Sequence, residues 1–313
     1  MRQIYITLLT IALYACSSES PLLIEELQFK NGIYRYKDQN YTGKAYSYFS
    51  QTTIPMRTIE CSLNAENTLQ ICIVNEFSKD GTRIISGTTH NGSKEGSWYI
   101  YKNNRLKEHI TYKNNKREGI SYYYRQNSLY EEKEYMENML HGLFLVYYTE
   151  QELQGFPTTQ EGNNIVSKKK EKESKTPQSF PIKERGEYSY NKKEGIWYTY
   201  YPDGTLYTRV EYSNDMQHGT YTSYYIGGAI QEEGEYVHGE KHGTWLTFYD
   251  TGQIHHRRHY INGIQEGIEV NYHKNSKIED EIPYHKGLIK GTVHSYDDLG
   301  KLDRTTFYDI IDE

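Results

Sequence analysis

Residues 195–219 read Gly-Ile-Trp-Tyr-Thr-Tyr-Tyr-Pro-Asp-Gly-Thr-Leu-Tyr-Thr-Arg-Val-Glu-Tyr-Ser-Asn-Asp-Met-Gln-His-Gly, and this stretch decides the fold. With Gly195 as anchor, equivalent positions fall at Gly43, Cys72, Gly96, Gly119, Gly142, Gly195, Gly219, Gly243, Gly267 and Gly291. The spacings are 29, 24, 23, 23, 53, 24, 24, 24 and 24 residues, and four consecutive steps of 24 mark a tandem repeat. An aromatic residue usually sits two and five after the anchor, as in Trp98 with Tyr101, Trp197 with Tyr200 and Trp245 with Phe248. A turn signal follows, such as Pro202-Asp203-Gly204 or Thr251-Gly252. Next comes an aliphatic residue (Leu206, Ile230, Ile254, Ile278, Leu302), and six residues later a tyrosine (Tyr212, Tyr236, Tyr260, Tyr284, Tyr308). An even separation predicts that these two share one face of a strand. Each unit therefore reads as strand, tight turn, strand, looser turn.

The expected fold class is all-β: an elongated single-layer antiparallel meander of about ten tandem β-hairpin repeats of 23–24 residues. Two strands per unit at ~4.8 Å each give about 10 Å per repeat. The anchor glycine serves either a positive φ or the close approach of an aromatic ring to bare backbone, and the pattern leaves both open. Aromatic positions two and five after the anchor differ by an odd number, so either both faces are aromatic or a bulge lies between them.

Composition agrees with a thin structure. Only 36% of the chain is hydrophobic, yet 34 residues are tyrosine, whose ring can be buried while its hydroxyl stays in water. The net charge of −6 gives no basic footprint for nucleic acid.

The units resemble the MORN-repeat variant family, whose pattern G-x-W-x-x-Y-x-x-x-G-x-L, then Y-x-x-G-x-x-x-G, runs through residues 195–291. Gly32-Ile33-Tyr34-Arg35-Tyr36 with Tyr41-Thr42-Gly43 looks like a first unit. The sequence departs from the pattern where Cys72 replaces an anchor and where Ser121, Glu269 and Val293 replace the first aromatic. The resemblance implies a non-enzymatic repeat scaffold, and bacterial members carry an antitoxin-like label.

Domain organisation follows from what interrupts the repeats. Residues 1–15 read as a lipoprotein signal peptide: Arg2, a short apolar run from Ile4 to Leu13, then Leu13-Tyr14-Ala15-Cys16, which resembles a lipobox. Residues 16–28 would be lipidated Cys16 and a tether, placing the protein in the cell envelope, lipid-anchored to the outer membrane. Residues 29–150 form an N-terminal array, and 185–313 a C-terminal array continuing the same sheet. Between them, 151–184 carry Lys168-Lys169-Lys170-Glu171-Lys172-Glu173 and read as a charged, disordered insertion. The step of 53 is one unit of 24 with 29 residues inserted, so the sheet can pass through it.

Chemistry-bearing residues are few. With Cys16 acylated, Cys61 and Cys72 remain as one pair, either bridged or as two half-buried thiols in neighbouring strands, and export favours the bridge. His141, His218 and His242 each precede an anchor, which sets neighbours about 10 Å apart, too far to share one ion. His256 alternates to the face opposite His255 and His259. No metal or cofactor is therefore expected. Glu95, Glu118, Glu194 and Glu266 recur just before anchors, so they serve the repeat and not a catalytic centre. The three tryptophans share one repeat position and either pack within the sheet or form an exposed row. A row Trp197, Tyr221, Trp245 spaced about 10 Å apart is the candidate binding surface, for a protein partner or, alternatively, an envelope glycan.

Overall fold

The computed structural model describes residues 21–154, 156 and 180–309, so Cys16 and the central lysine-rich run lie outside the described residues. Its main feature is an antiparallel sheet of 23 strands, from Gly43–Tyr48 to Leu302–Tyr308, in which each arm pairs with the next along the chain. The meander is not closed: among the described residues no ladder joins its first and last strands.

One repeat shows how sequence sets the geometry. Lys192–Tyr200 pairs with Leu206–Ser213, which pairs with Met216–Tyr224. Only Asn214 and Asp215 connect the last two arms, with φ of 51° and 71°. This is the two-residue type I′ turn, whose backbone twist matches that of its strands and which favours Asn and Gly. The connection at Pro202-Asp203-Gly204 is longer, spanning residues 201–205, with the Asp203 carboxylate accepting from the Thr205 amide at 2.9 Å. The expected order of tight and loose turns is thus reversed.

A bulge lies beside the longer turn. Thr199 faces Thr208 while Tyr200 faces Leu206, so Tyr207 is the extra residue. The same shift recurs at Ser223/Tyr224, Thr247/Phe248, Asn271/Tyr272 and Ser295/Tyr296. An inserted residue inverts the alternation beyond it. Leu206 therefore shares the face of Tyr200, whereas Tyr212 shares that of Trp197, and the expectation that the aliphatic residue and the tyrosine lie on one face fails. His255 is the bulged residue in its own unit, which brings its ring to 3.6 Å from that of His256 instead of sending the two to opposite faces.

Both proposed uses of glycine occur, at different glycines. The anchors Gly195 and Gly243 have φ of 69° with open space around them, and each lies opposite a tyrosine, Tyr212 and Tyr260. The close approach belongs to Gly87, Gly186 and Gly234, over which Trp98, Trp197 and Trp245 lie flat; a Cβ at Gly234 would meet the Trp245 ring at 2.3 Å.

The sheet runs through the insertion. Met139–Tyr147 pairs directly with Ile182–Ser189, Phe144 facing Gly186 and Leu145 facing Arg185. A helical turn, Glu150–Leu153, opens the insertion; Thr149 caps it, its side chain accepting from the Glu152 amide.

At the other end Leu22, Ile24 and Leu27, assigned to the tether from sequence, pack against the core around Ala45, Ile59 and Trp98. The Tyr46 amide donates to the Leu22 carbonyl at 2.9 Å, covering the edge of Gly43–Tyr48. The segment read as a first repeat forms a separate three-stranded sheet, Gln28–Lys30, Ile33–Tyr36 and Gln39–Asn40. Gln70, 1% exposed, holds it: its Oε1 accepts from the Tyr34 amide, and its Nε2 donates to the carbonyls of Tyr34 and Tyr41.

Candidate functional site

A single-layer sheet offers two faces and two rims of turns. On one face runs a row of cross-strand partners: Phe144, Gly186, Trp197, Val210, Tyr221, Gly234 and Trp245. Trp197 and Trp245 are each 2% exposed. Lys193 lies 3.7 Å from the Trp197 ring centre and pairs with Glu184 at 3.0 Å; Lys241 lies 3.7 Å from Trp245 and pairs with Glu232 at 2.9 Å. Tyr221 is half-buried, its ring 5.4 Å from Trp245 and 5.7 Å from Tyr236. The even 10 Å row is corrected by this packing. Rings lean together in the space their glycines leave, Phe144 with Trp197 at 5.4 Å and Tyr221 with Trp245 at the same distance. The indoles are core, and a ligand would have to displace the lysines to reach them.

The signal for this packing is in the sequence: each tryptophan follows its glycine by 11 residues (87/98, 186/197, 234/245). Where the tryptophan is replaced by Glu269, the residue 11 before is Arg258, and the two form an ion pair at 2.9 Å with Glu269 6% exposed. Gln265 Nε2 donates to the second carboxylate oxygen at 2.7 Å, so the buried charge is paired and hydrogen-bonded.

The opposite face carries the aromatic residues three and five after the anchor. Tyr99, His109 and Tyr122 stack across three strands, with centroids 4.6 and 5.4 Å apart and planes within 25°. Tyr46 with Tyr48, and Tyr198 with Tyr200, extend along their strands at 6.0 and 6.5 Å. All of these rings are half-buried. Arg185 and Arg257, central on the same face, are exposed. This tyrosine face, not the tryptophan row, keeps aromatic surface in reach of solvent along the chain.

The rims explain the recurring polar residues. The carboxylates of Glu95, Glu118, Glu194 and Glu266 accept from the first amide of the next type I′ turn, at Asn114, Glu137, Asn214 and Lys286, over 2.8–3.0 Å. Each turn is thereby tied to its neighbour. On the other rim Tyr201, Tyr225 and Tyr249 donate their hydroxyls to the carbonyls of Tyr224, Phe248 and Tyr272 at 2.7–2.8 Å, always 23 residues on.

Many tyrosines therefore hold their protons tightly. Burial pushes the Tyr236 hydroxyl up to about 12, and those of Tyr221, Tyr147 and Tyr260 also up. A group whose pKa is higher folded than unfolded contributes stability that is intact below its unfolded pKa, about 10, and is lost as pH rises through the folded value. Denaturant midpoints should be flat from pH 7 to 9 and fall steeply between about 10 and 12; a flat profile through that window would contradict the burial.

Cys61 and Cys72 are Cα partners 4.1 Å apart, joined by a disulfide. Among the described residues, no three of His, Cys, Asp and Glu are grouped so as to hold a metal ion.

Two stretches of the chain, residues 193–214 and 241–262, match the MORN repeat variant family. Both begin beside or on the lysine that covers a tryptophan and run through the tyrosine that flanks it, two repeats apart. The matches support MORN-type repeats in this β-hairpin array. A search of curated proteins found no match.

Proposed function

We propose that this MORN-type β-repeat array is a non-enzymatic scaffold, tethered to the bacterial outer membrane through lipid on Cys16, that binds a partner protein on its tyrosine face. The observation that carries the reading is the division of labour between faces. Tryptophans are packed away under lysines, while half-exposed aromatic residues lie on the other side, Tyr99, His109 and Tyr122 as a stack and Tyr46 with Tyr48 and Tyr198 with Tyr200 along their strands. Half-exposed aromatic residues next to arginine are the side chains that dominate protein interfaces. A glycan is less well served. In the Tyr99, His109, Tyr122 stack the ring faces are turned to one another, which leaves edges and hydroxyls outward rather than a flat face for a sugar ring.

The tether rests on the short apolar run that ends at Ala15-Cys16. Cys16→Ala should release the protein from the membrane fraction; an unchanged detergent partition of that variant would contradict the anchor. For binding, the array isolated from envelope should retain a stoichiometric polypeptide. Tyr198→Ala with Tyr200→Ala should lose it while the chain still melts cooperatively, since these rings are only half-buried. Undiminished recovery by the double variant, or retention only by polysaccharide, would overturn the reading.

A further inference from the structure

A second register shift lies at five anchors, Gly96, Gly142, Gly195, Gly219 and Gly243, in the ladder with the preceding strand. In four units the residue before the anchor is a glutamate that accepts from the first amide of the next type I′ turn, as Glu194 does from Asn214. In the unit of Gly219 this residue is His218, and the first turn residue is also a histidine, His238, with φ of 52°. His218 Nδ1 stands 3.4 Å from the His238 amide, a long contact, and the two rings have centroids 5.3 Å apart with planes at 47°. Sequence periodicity could not show this pair, because it compares equivalent positions in neighbouring units and these two are not equivalent.

From these residues we infer a surface site for copper(I), held by His218, His238 and the thioether of Met216. The three line one hollow of about 220 Å³ together with Ser213 and Asn214. The repeat itself sets the ring separation, since His141 and Tyr190 at the same two positions lie 4.8 Å apart, and the 5.3 Å of the histidine pair is one that an ion can bridge. A metal about 2.05 Å from an imidazole nitrogen is about 3.2 Å from that ring's centre, and two such rings at a tetrahedral angle have centres about 5.2 Å apart. Both histidines are exposed and Met216 is 46% exposed, so each can turn its donor inward without unpacking the core. Binding through Nε2 puts the His218 proton on Nδ1 and gives up only the 3.4 Å contact. A thioether beside two imidazoles selects a soft ion, which favours copper(I) over zinc or nickel. Cys61 and Cys72, being disulfide-bonded, offer no competing thiolate.

The test is titration of the full chain, in detergent, with copper(I) against a chromogenic copper(I) chelator. One equivalent should be withheld from the chelator. His238→Asn keeps the residue type found at the same turn position in Asn214 and Asn262, and His218→Gln keeps an amide acceptor, so both variants should fold. Each should weaken copper(I) binding by more than about tenfold, since even a partner outside the coordination sphere is commonly worth that much. Met216→Leu should weaken copper(I) while leaving the weaker binding of nickel(II) unchanged. Failure to withhold one equivalent, or equal affinity in the His218→Gln/His238→Asn double variant with an unchanged circular dichroism spectrum, would overturn the site.

Discussion

Trp245→Ala should lower the free energy of unfolding by about 3–5 kcal/mol, the range for removing a buried tryptophan, read from urea midpoints at constant m. The indole is 2% exposed. It contacts Tyr221, Tyr236 and Tyr260, lies under Lys241, and donates from Nε1 to the Glu235 carbonyl at 3.2 Å. Truncation opens a cavity that neighbours anchored to a β-ladder can close only in part. Gly234→Ala should be costly for the complementary reason, because the added Cβ would lie 2.3 Å from the ring and the backbone on either side is fixed by pairing. Gly243→Ala, with open space at its Cβ and φ of 69°, should cost only about 1 kcal/mol. A loss for Trp245→Ala within ~0.5 kcal/mol, the range of ordinary surface substitutions, would show that the indole is exposed in solution.

Reducing the Cys61–Cys72 bridge should cost about 3 kcal/mol, the chain-entropy value for so short a loop. The two residues are 11 apart in sequence and sit 5% and 1% exposed in the core that also contains Ile59, Val74 and Trp98. The urea midpoint of the wild type should fall on addition of reductant. That of Cys61→Ala/Cys72→Ala should be low at the outset and insensitive to reductant. Equal midpoints with and without reductant, together with two thiols alkylated in unreduced protein, would mean the bridge does not form.

Steps of 24 made the meander legible, because every anchor from Gly195 to Gly291 faces the tyrosine 17 residues after it across a strand pair. Even the exception is physical. The arms bearing Cys61 and Cys72 pair in unbroken register, so that anchor has no bulge to accommodate. The insertion was legible as arithmetic, 53 less 24, and the pairing of Leu145 with Arg185 shows the sheet passing it.

What stayed hidden depends on contacts across strands. Simple alternation cannot register Tyr207 or His255 as bulged, so it assigned Leu206 and His256 to the wrong faces. The tryptophans declared a shared repeat position but not their burial, which rests on a glycine one strand away and a lysine from the turn rim. Leu22, Ile24 and Leu27 follow a polar run and carry no repeat signal, so their packing on the core was not apparent.

If one sheet continues across the insertion, thiol cross-linking should join its two sides at paired positions. Leu145 and Arg185 are Cα partners, whereas Glu184 is the partner of Val146 and projects from the other face. A short bifunctional maleimide should join Leu145→Cys to Arg185→Cys rapidly, and Leu145→Cys to Glu184→Cys far more slowly, as resolved by intact-mass and peptide analysis. Equal, slow reaction of both pairs would mean that the two arrays are separate bodies.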